Sequence, residues 1–506
     1  MKIKAPLSLF LALAVIFGSV LPVSAQSIYA ESDSNVTLSC SHPTIFDPGE
    51  LTDAELRELC NKVNNVDRSN KDPSFCYTEA VMDIEYYYSK FTKQRQSVPD
   101  YLSTAYSKTH SDTRASTYAT TTNEYVISAE GRFRVFYNQA SPHSDIVDLA
   151  NTIASIFDYA HLYLCNAYDF PAPPTNSEGY YDIHIIADDM IDHMAYTSYD
   201  DDGLSYISIS QGPIEFYYDN DAETYVWGLA IHEYTHAVLN GQGIFYNSTD
   251  LQCFNESLAT AIAIEWDEQY ANESGKCTMI SNFVSSLSIS MASLETNAFK
   301  YGGALFYLFI YEDYDEWDTI SEMINNYDLS SSVFDNLNAS LIAQGEGPLS
   351  TAYIHFLACA VDPDVMFSTA PANRLDPTEY YVNSWGTPDY RSIINIHSGL
   401  DDNYISHGSL SYLAAQFIKI ETFTYVSKRV TMTITYNPFG MSVPQAAIMV
   451  HNRSTGNYTY YGNGVVDNEY QLSLTMNITA NDIVYLVIAN AGNAGNLTYS
   501  YSIDIN

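Results

Sequence analysis

Basic residues are scarce in this chain of 506: 21 Lys and Arg stand against 61 Asp and Glu, a formal net charge of −40. A surface this anionic repels nucleic acid and anionic membrane, which excludes partners held through phosphate contacts. High negative charge also keeps an exported protein soluble; calcium binding or a salty habitat would give the same composition, which does not choose among them. Long apolar runs are missing beyond residues 9–20, so nothing later in the chain is suited to cross a bilayer. Cysteine is sparse, at seven residues, and no CxxC occurs, which excludes a cysteine-based zinc knuckle. An odd count leaves at least one thiol without a partner in the chain. Cys60 with Cys76, and Cys253 with Cys277, are close enough in sequence to pair. Cys165 and Cys359 lie in apolar segments and read as small buried hydrophobes.

The first 25 residues have the layout of a secretory signal peptide: Lys2 and Lys4, an apolar run, then Val23-Ser24-Ala25 before Gln26. A secreted or cell-surface protein is therefore expected, with no membrane span. The length favours two or three domains. Residues 26–125 are polar and weakly patterned, and read as a propeptide or an accessory region. From 126 to 376 the pattern sharpens. Strands are expected at 133–137, 181–186 and 204–209, a helix over 146–168, and helices throughout 223–361. Strands followed by helices indicate an α+β domain. Asp200-Asp201-Asp202-Gly203 is an acidic turn without EF-hand ligand spacing, so Ca²⁺ has no specific motif. Residues 377–403 read as a linker. Over 404–506, β-branched and aromatic runs at 417–426, 430–436, 446–450, 470–478, 483–489 and 497–503 alternate with Gly, Asn and Pro turns, the pattern of an all-β sandwich. That last domain carries no charged pair or nucleophile at catalytic spacing, and reads as a structural or binding appendage.

The chemistry concentrates in Ile231-His232-Glu233-Tyr234-Thr235-His236, an HExxH pattern that continues the apolar helical stripe of Tyr225, Val226, Leu229 and Ala230. Residues i and i+4 share a helix face, so both imidazoles reach one ion while Glu233 stands beside it. Only 12 histidines occur in the chain, and a chance HExxH has a probability on the order of one percent. Phe254-Asn255-Glu256-Ser257 opens a second helix. Glu256 follows His236 by enough residues for a helix end, a loop and a return helix. Two His and one Glu leave a fourth position open, which is the ligand set of a catalytic Zn²⁺ site. Zinc would acidify a bound water, Glu233 would take its proton as it attacks a carbonyl, and the same Glu would pass the proton to the leaving amine. His110, His143, His184, His193 and His355 read as packing or surface residues.

His232-Glu233-Tyr234-Thr235-His236, followed at this interval by Asn255-Glu256-Ser257, resembles the gluzincin metallopeptidases. The helix motif and interval are similar to those of thermolysin. The resemblance implies His232, His236 and Glu256 as zinc ligands, Glu233 as general base, and a zincin-like α+β domain. Where thermolysin keeps an Asp four residues after the Glu ligand, this chain has Thr260, so support for the ligands must come from elsewhere. A looser similarity, to exported metallopeptidase-like proteins with a C-terminal β-sandwich, covers about 131–506. Its marks are strands like 132–137 and 181–186, a turn like Phe170-Pro171-Ala172-Pro173-Pro174 and a helix like Tyr301-Gly302-Gly303. Gluzincins place a Tyr or His from beyond the second zinc helix at the oxyanion, and Tyr301 is the candidate here. The strand at 204–209 is the expected edge on which a peptide substrate pairs. The expected activity is peptide-bond hydrolysis in endopeptidase mode, on a protein or peptide substrate. The alternatives are an aminopeptidase, for which no GxMEN-like segment precedes His232, and an inactive surface binding protein, which would have no use for Glu233.

Overall fold

The computed structural model describes residues 98–105, 123–138, 146–186, 195–199, 204–211, 223–244, 249–291, 297–361, 385–396, 402–422, 427–438, 442–460, 471–492 and 495–506, apart from single positions within them and with isolated positions before them. The expected signal peptide, nearly all of 26–125, the acidic turn at 200–203, and His110, His143 and His193 lie outside the described residues. No helix among those described is long and apolar enough to cross a membrane.

The first layer is a mixed sheet of β1 (Asn123–Ile127), β2 (Phe133–Asn138), β3 (Tyr181–Ile186), β4 (Ala195–Tyr199) and β5 (Ser205–Ser210). Its order is β1-β2-β3-β5-β4. β2, β3 and β5 run parallel, with β1 and β4 antiparallel at the two ends. Alternation fixes its faces: Phe133, Val135 and Tyr137 on β2, and Tyr181, Ile183 and Ile185 on β3, are buried. Helix α1 (Ile146–His161) crosses from β2 to β3 and buries Leu149, Ala150, Ile153 and Phe157. It runs into a π-helical turn at Leu162–Ala167.

The expected edge strand is misplaced by one. The strand at 205–210 is interior, and β4 ends the sheet next to the motif helix. β4 is short and rich in Tyr, Thr and Ser, without the apolar alternation that marked β5.

Behind the sheet lie α2 (Glu223–Gly241), α3 (Thr249–Trp266), α4 (Tyr270–Glu273), α5 (Lys276–Ser285), α6 (Asn297–Gly302), α7 (Ala304–Asp313), α8 (Asp318–Asn325), α9 (Val333–Gln344) and α10 (Leu349–Ala360). Caps set several boundaries. Ser332 accepts from the Asp335 amide at the start of α9, and Gly345 closes that helix at φ 89°.

The C-terminal region is all-β. One sheet orders β11 (Asn457–Tyr460), β10 (Pro444–Asn452), β13 (Asp482–Asn490), β8 (Ala414–Thr422) and β6 (Tyr390–Ile396). The other orders β12 (Gln471–Ile478), β9 (Lys428–Pro438), β14 (Leu497–Ile505) and β7 (Asp402–Leu410). All six expected strands are present within a few residues.

β13 shows how this region joins the rest. All nine of its residues are buried, as its near-continuous apolar run requires. Val484, Leu486 and Ile488 point into the core between the two sheets. Ile483, Tyr485, Val487 and Ala489 point into a second core, shared with α2, α3, α7 and α10. The stretch read as a linker contributes to this body: Trp385 is fully buried in the shared core and β6 pairs parallel with β8. A parallel edge strand has no tight turn to announce it, which is why 390–396 did not read as a strand.

The Cys253–Cys277 pairing does not hold either: both are thiols, as are Cys60, Cys165 and Cys359, while Cys76, the other expected partner of Cys60, lies outside the described residues. Burial pushes the Cys277 thiol up to about 11, so it behaves as a small apolar side chain.

Candidate metal centre

α2 carries His232, Glu233 and His236 on one stretch, and α3 returns alongside it with Glu256. All four side chains are buried. His236 Nε2 lies 3.2 Å from His232 Nε2, and Glu256 Oε2 lies 3.5 Å from the first-motif nitrogen of His232 and 3.8 Å from that of His236. A tetrahedral ion with bonds of about 2.05 Å separates its ligand atoms by roughly 3.3 Å, so three edges of that tetrahedron are laid out. Among the described residues, this triad is the one group of three or more His, Cys, Asp or Glu that could hold a metal ion.

The electrostatics fit a cation. Burial holds His232 below its ordinary value, opposed by Glu256 and the Ala259 backbone carbonyl. Burial brings His236 down to about 3. Two neutral imidazoles therefore face each other beside a buried carboxylate. That is a donor set in need of a positive centre, and it suits Zn²⁺.

Glu233 stands on the sheet side of the helix. Thr197 Oγ1, on β4, donates to Glu233 Oε2 at 2.9 Å and to its backbone carbonyl at 3.0 Å. This hydroxyl fixes the carboxylate, and sequence reading missed it because nothing in β4 marks Thr197 beforehand. Burial pushes Glu233 up to about 8, with Glu256 adding to the rise and Thr197 and Lys276 opposing it. An apolar recess adjoins Glu233, lined by Ile153, Phe157, Ala195, Ile209, Val226 and Leu229.

Support for the ligands does not come from residue 260. Thr260 Oγ1 is buried without a hydrogen-bond partner, and so is His232 Nδ1. Aromatic packing takes part of that role: the ring of Tyr270 lies 6.3 Å from that of His232. On the far side of α2, Tyr234 Oη meets His161 Nδ1 at 2.8 Å and packs edge-on against Phe133, which anchors the helix to α1 and β2.

Tyr301, at the end of α6, is brought to this neighbourhood by two contacts. Ser257 Oγ, one residue past Glu256, donates to the Lys300 carbonyl at 2.6 Å. At Gly302 the α6 backbone presses on α5: an added Cβ would lie 2.4 Å from Phe283 Cβ and 2.6 Å from the Met279 carbonyl oxygen. Lys276 Nζ sits 3.3 Å from the centre of the Tyr301 ring. No spacing rule had singled out Lys276.

Of the spare histidines, His184 and His355 are described, and both pack. His184 stacks on Phe136 with ring centres 4.9 Å apart, and His355 meets Tyr460 edge-on.

No family model matches the chain, and no curated protein matches it in sequence. Among solved structures, it is similar to the pre-peptidase C-terminal domain of collagenase from Bacillus anthracis, at 20% identity over 22% of this chain and 93% of that one, with a TM-score of 0.16. It is also similar to PliG of Aeromonas hydrophila, a periplasmic inhibitor of g-type lysozyme, at 13% identity over 23% of this chain and 96% of that one, with a TM-score of 0.16. Likenesses this partial carry no argument about function.

Proposed function

We propose that this protein is a secreted zinc-dependent metallopeptidase of the gluzincin kind, with a zincin-like α+β domain, acting on protein or peptide substrates as an endopeptidase. The observation that carries the reading is the buried convergence of His232, His236 and Glu256 with Glu233 held beside them by Thr197. When bound there, Zn²⁺ supplies a Lewis acid that polarises a carbonyl and acidifies a water.

The chain's own groups do the rest. His232 and His236 each offer a neutral Nε2 lone pair, and Glu256 adds one carboxylate oxygen. Glu233 takes the proton of the attacking water on its carboxylate and passes it to the departing amine. Its raised proton affinity suits a group that must hold a proton between those two moments. The substrate backbone extends the sheet along β4, which sets the scissile carbonyl next to Thr197 and Glu233. Tyr301 donates to the oxyanion as it forms.

Purified wild type should contain one zinc and cleave an unfolded protein substrate. Glu233→Gln should keep the zinc and lose about 10²- to 10⁴-fold in kcat. Metal-free wild type would sink the reading. Zinc without cleavage would turn it toward a binding protein.

A further inference from the structure

Lys276 begins α5 directly after Gly275, whose φ of 72° suits glycine and turns the chain sharply into the helix. Lys276, Met279 and Phe283 follow one another at helical spacing on one face. Met279 and Phe283 are the residues that meet Gly302, so this face is pressed against α6. The closeness at Gly302 is what allows the ammonium to lie over the adjacent Tyr301 ring at 3.3 Å. The bond from Ser257 to the Lys300 carbonyl ties the same turn of α6 to the helix that carries Glu256. One contact thus links the cation to the ring, and another links the ring's helix to the ligand helix. The ammonium thus lies against the residue that follows Lys300, whose carbonyl is bound by the neighbour of Glu256.

We propose that Lys276 is a positioning residue for the reaction: its ammonium, seated on the Tyr301 ring, holds the phenol toward the metal centre and strengthens it as a hydrogen-bond donor to the developing oxyanion. This rests on the peptidase reading above. A cation over the ring face draws electron density from the phenol and restricts its rotation. The arrangement has an unavoidable cost. A fixed positive charge near a dication's site weakens binding of that dication.

That cost supplies the test, because the two consequences run in opposite directions. Zinc affinity, measured by chelator competition, and kcat and KM on a protein substrate would be compared for wild type, Lys276→Met, Lys276→Arg and Tyr301→Phe. Lys276→Met should bind zinc on the order of fivefold more tightly, while its kcat falls roughly tenfold with little change in KM. Lys276→Arg should keep both values near wild type. Lys276→Met added to Tyr301→Phe should cost no further kcat, since Lys276 acts through that ring. Should Lys276→Met fail to fold, Lys276→Gln carries the same readings. Unchanged or weakened zinc affinity overturns the assignment, as does a kcat loss that adds in full to that of Tyr301→Phe. If wild type binds zinc yet cleaves nothing, the peptidase reading falls, and the role of Lys276 in an oxyanion step falls with it. Tighter zinc binding by Lys276→Met would then mark it only as a charge beside the metal.

Discussion

Asp482 and Asn490 are buried in the C-terminal sandwich, and each is answered. Asp482 accepts from Thr479 N at 2.7 Å, Thr479 Oγ1 at 2.9 Å and Asn452 Nδ2 at 2.8 Å. Asn490 Oδ1 accepts from Val443 N at 3.0 Å and Gly492 N at 3.3 Å. Between α2 and α3 the pattern is the reverse. His232 Nδ1, both amide atoms of Asn240, Asn255 Oδ1 and Thr260 Oγ1 are buried without hydrogen-bond partners. Each such atom costs about 1–3 kcal/mol. Asp482 and Asn490 are thus satisfied where several polar atoms around the candidate centre are not, although Tyr460 Oη in the C-terminal sheets also lacks a hydrogen-bond partner. Unsatisfied polar atoms of this kind are expected where a site takes precedence over local consistency.

The comparison breaks most visibly at Glu256. Removing the carboxylate by Glu256→Gln should lower zinc affinity by several orders of magnitude, since one of three ligands loses its charge. Metal-free, the same variant should be no less stable than wild type, because an ionised buried carboxylate is costly to keep. Chelator titration and thermal unfolding of the metal-free proteins measure the two. A large loss of metal-free stability would mean that Glu256 serves the fold, and would erase the contrast with Asp482.

A pH series separates the regions next. Glu233 is pushed up to about 8 and Glu265, held by Tyr163 and Tyr311, up to about 7, both by burial. A carboxyl whose folded value lies above its unfolded value favours the fold only in its protonated form. Stability from these groups is therefore full below about pH 4.5 and is lost as pH rises toward 8. Metal-free wild type should lose a few kcal/mol over that window. Metal-free Glu233→Gln should lose distinctly less. Denaturant unfolding at pH 5, 6, 7 and 8 gives both slopes, and equal slopes would refute the raised value at Glu233.

In the sandwich core the expected effect is one of packing. Ile488, fully buried between the two sheets, should cost about 2–5 kcal/mol when cut to Ala. Zinc affinity should not change, because β13 faces the shared core only through its alternate residues.

How much of this was legible beforehand follows from which residues carry local signals. His232 and His236 announced themselves because helical spacing puts both on one face, and Glu256 because its interval allows a return helix; the described geometry brings the three together. The six long sandwich strands showed as β-branched runs between turns. Thr197 and Lys276 could not be read, since each matters only through a partner distant in sequence: Glu233 for one, Tyr301 for the other. The edge strand was taken one strand too late because β5 had the stronger alternation, whereas edge position depends on pairing. The Cys253–Cys277 pairing rested on short separation in sequence. Sequence separation says nothing of the distance and direction that a bridge requires.

Thr260 offers the finest test of the contrast. It sits one helical turn after Glu256, where thermolysin keeps an Asp, and its hydroxyl is buried without a partner. Thr260→Val keeps the shape and removes the unsatisfied oxygen. If the hydroxyl serves nothing, the change should be neutral or stabilise by up to about 1 kcal/mol, with zinc affinity and kcat unmoved. If it instead orients a ligand, zinc affinity should fall about tenfold or more, the scale seen when outer-sphere partners are removed. Unfolding and chelator competition on one variant separate these cases. The first outcome is expected, because the hydroxyl makes no bond to His232, His236 or Glu256. Packing from Tyr270 would then be what steadies His232.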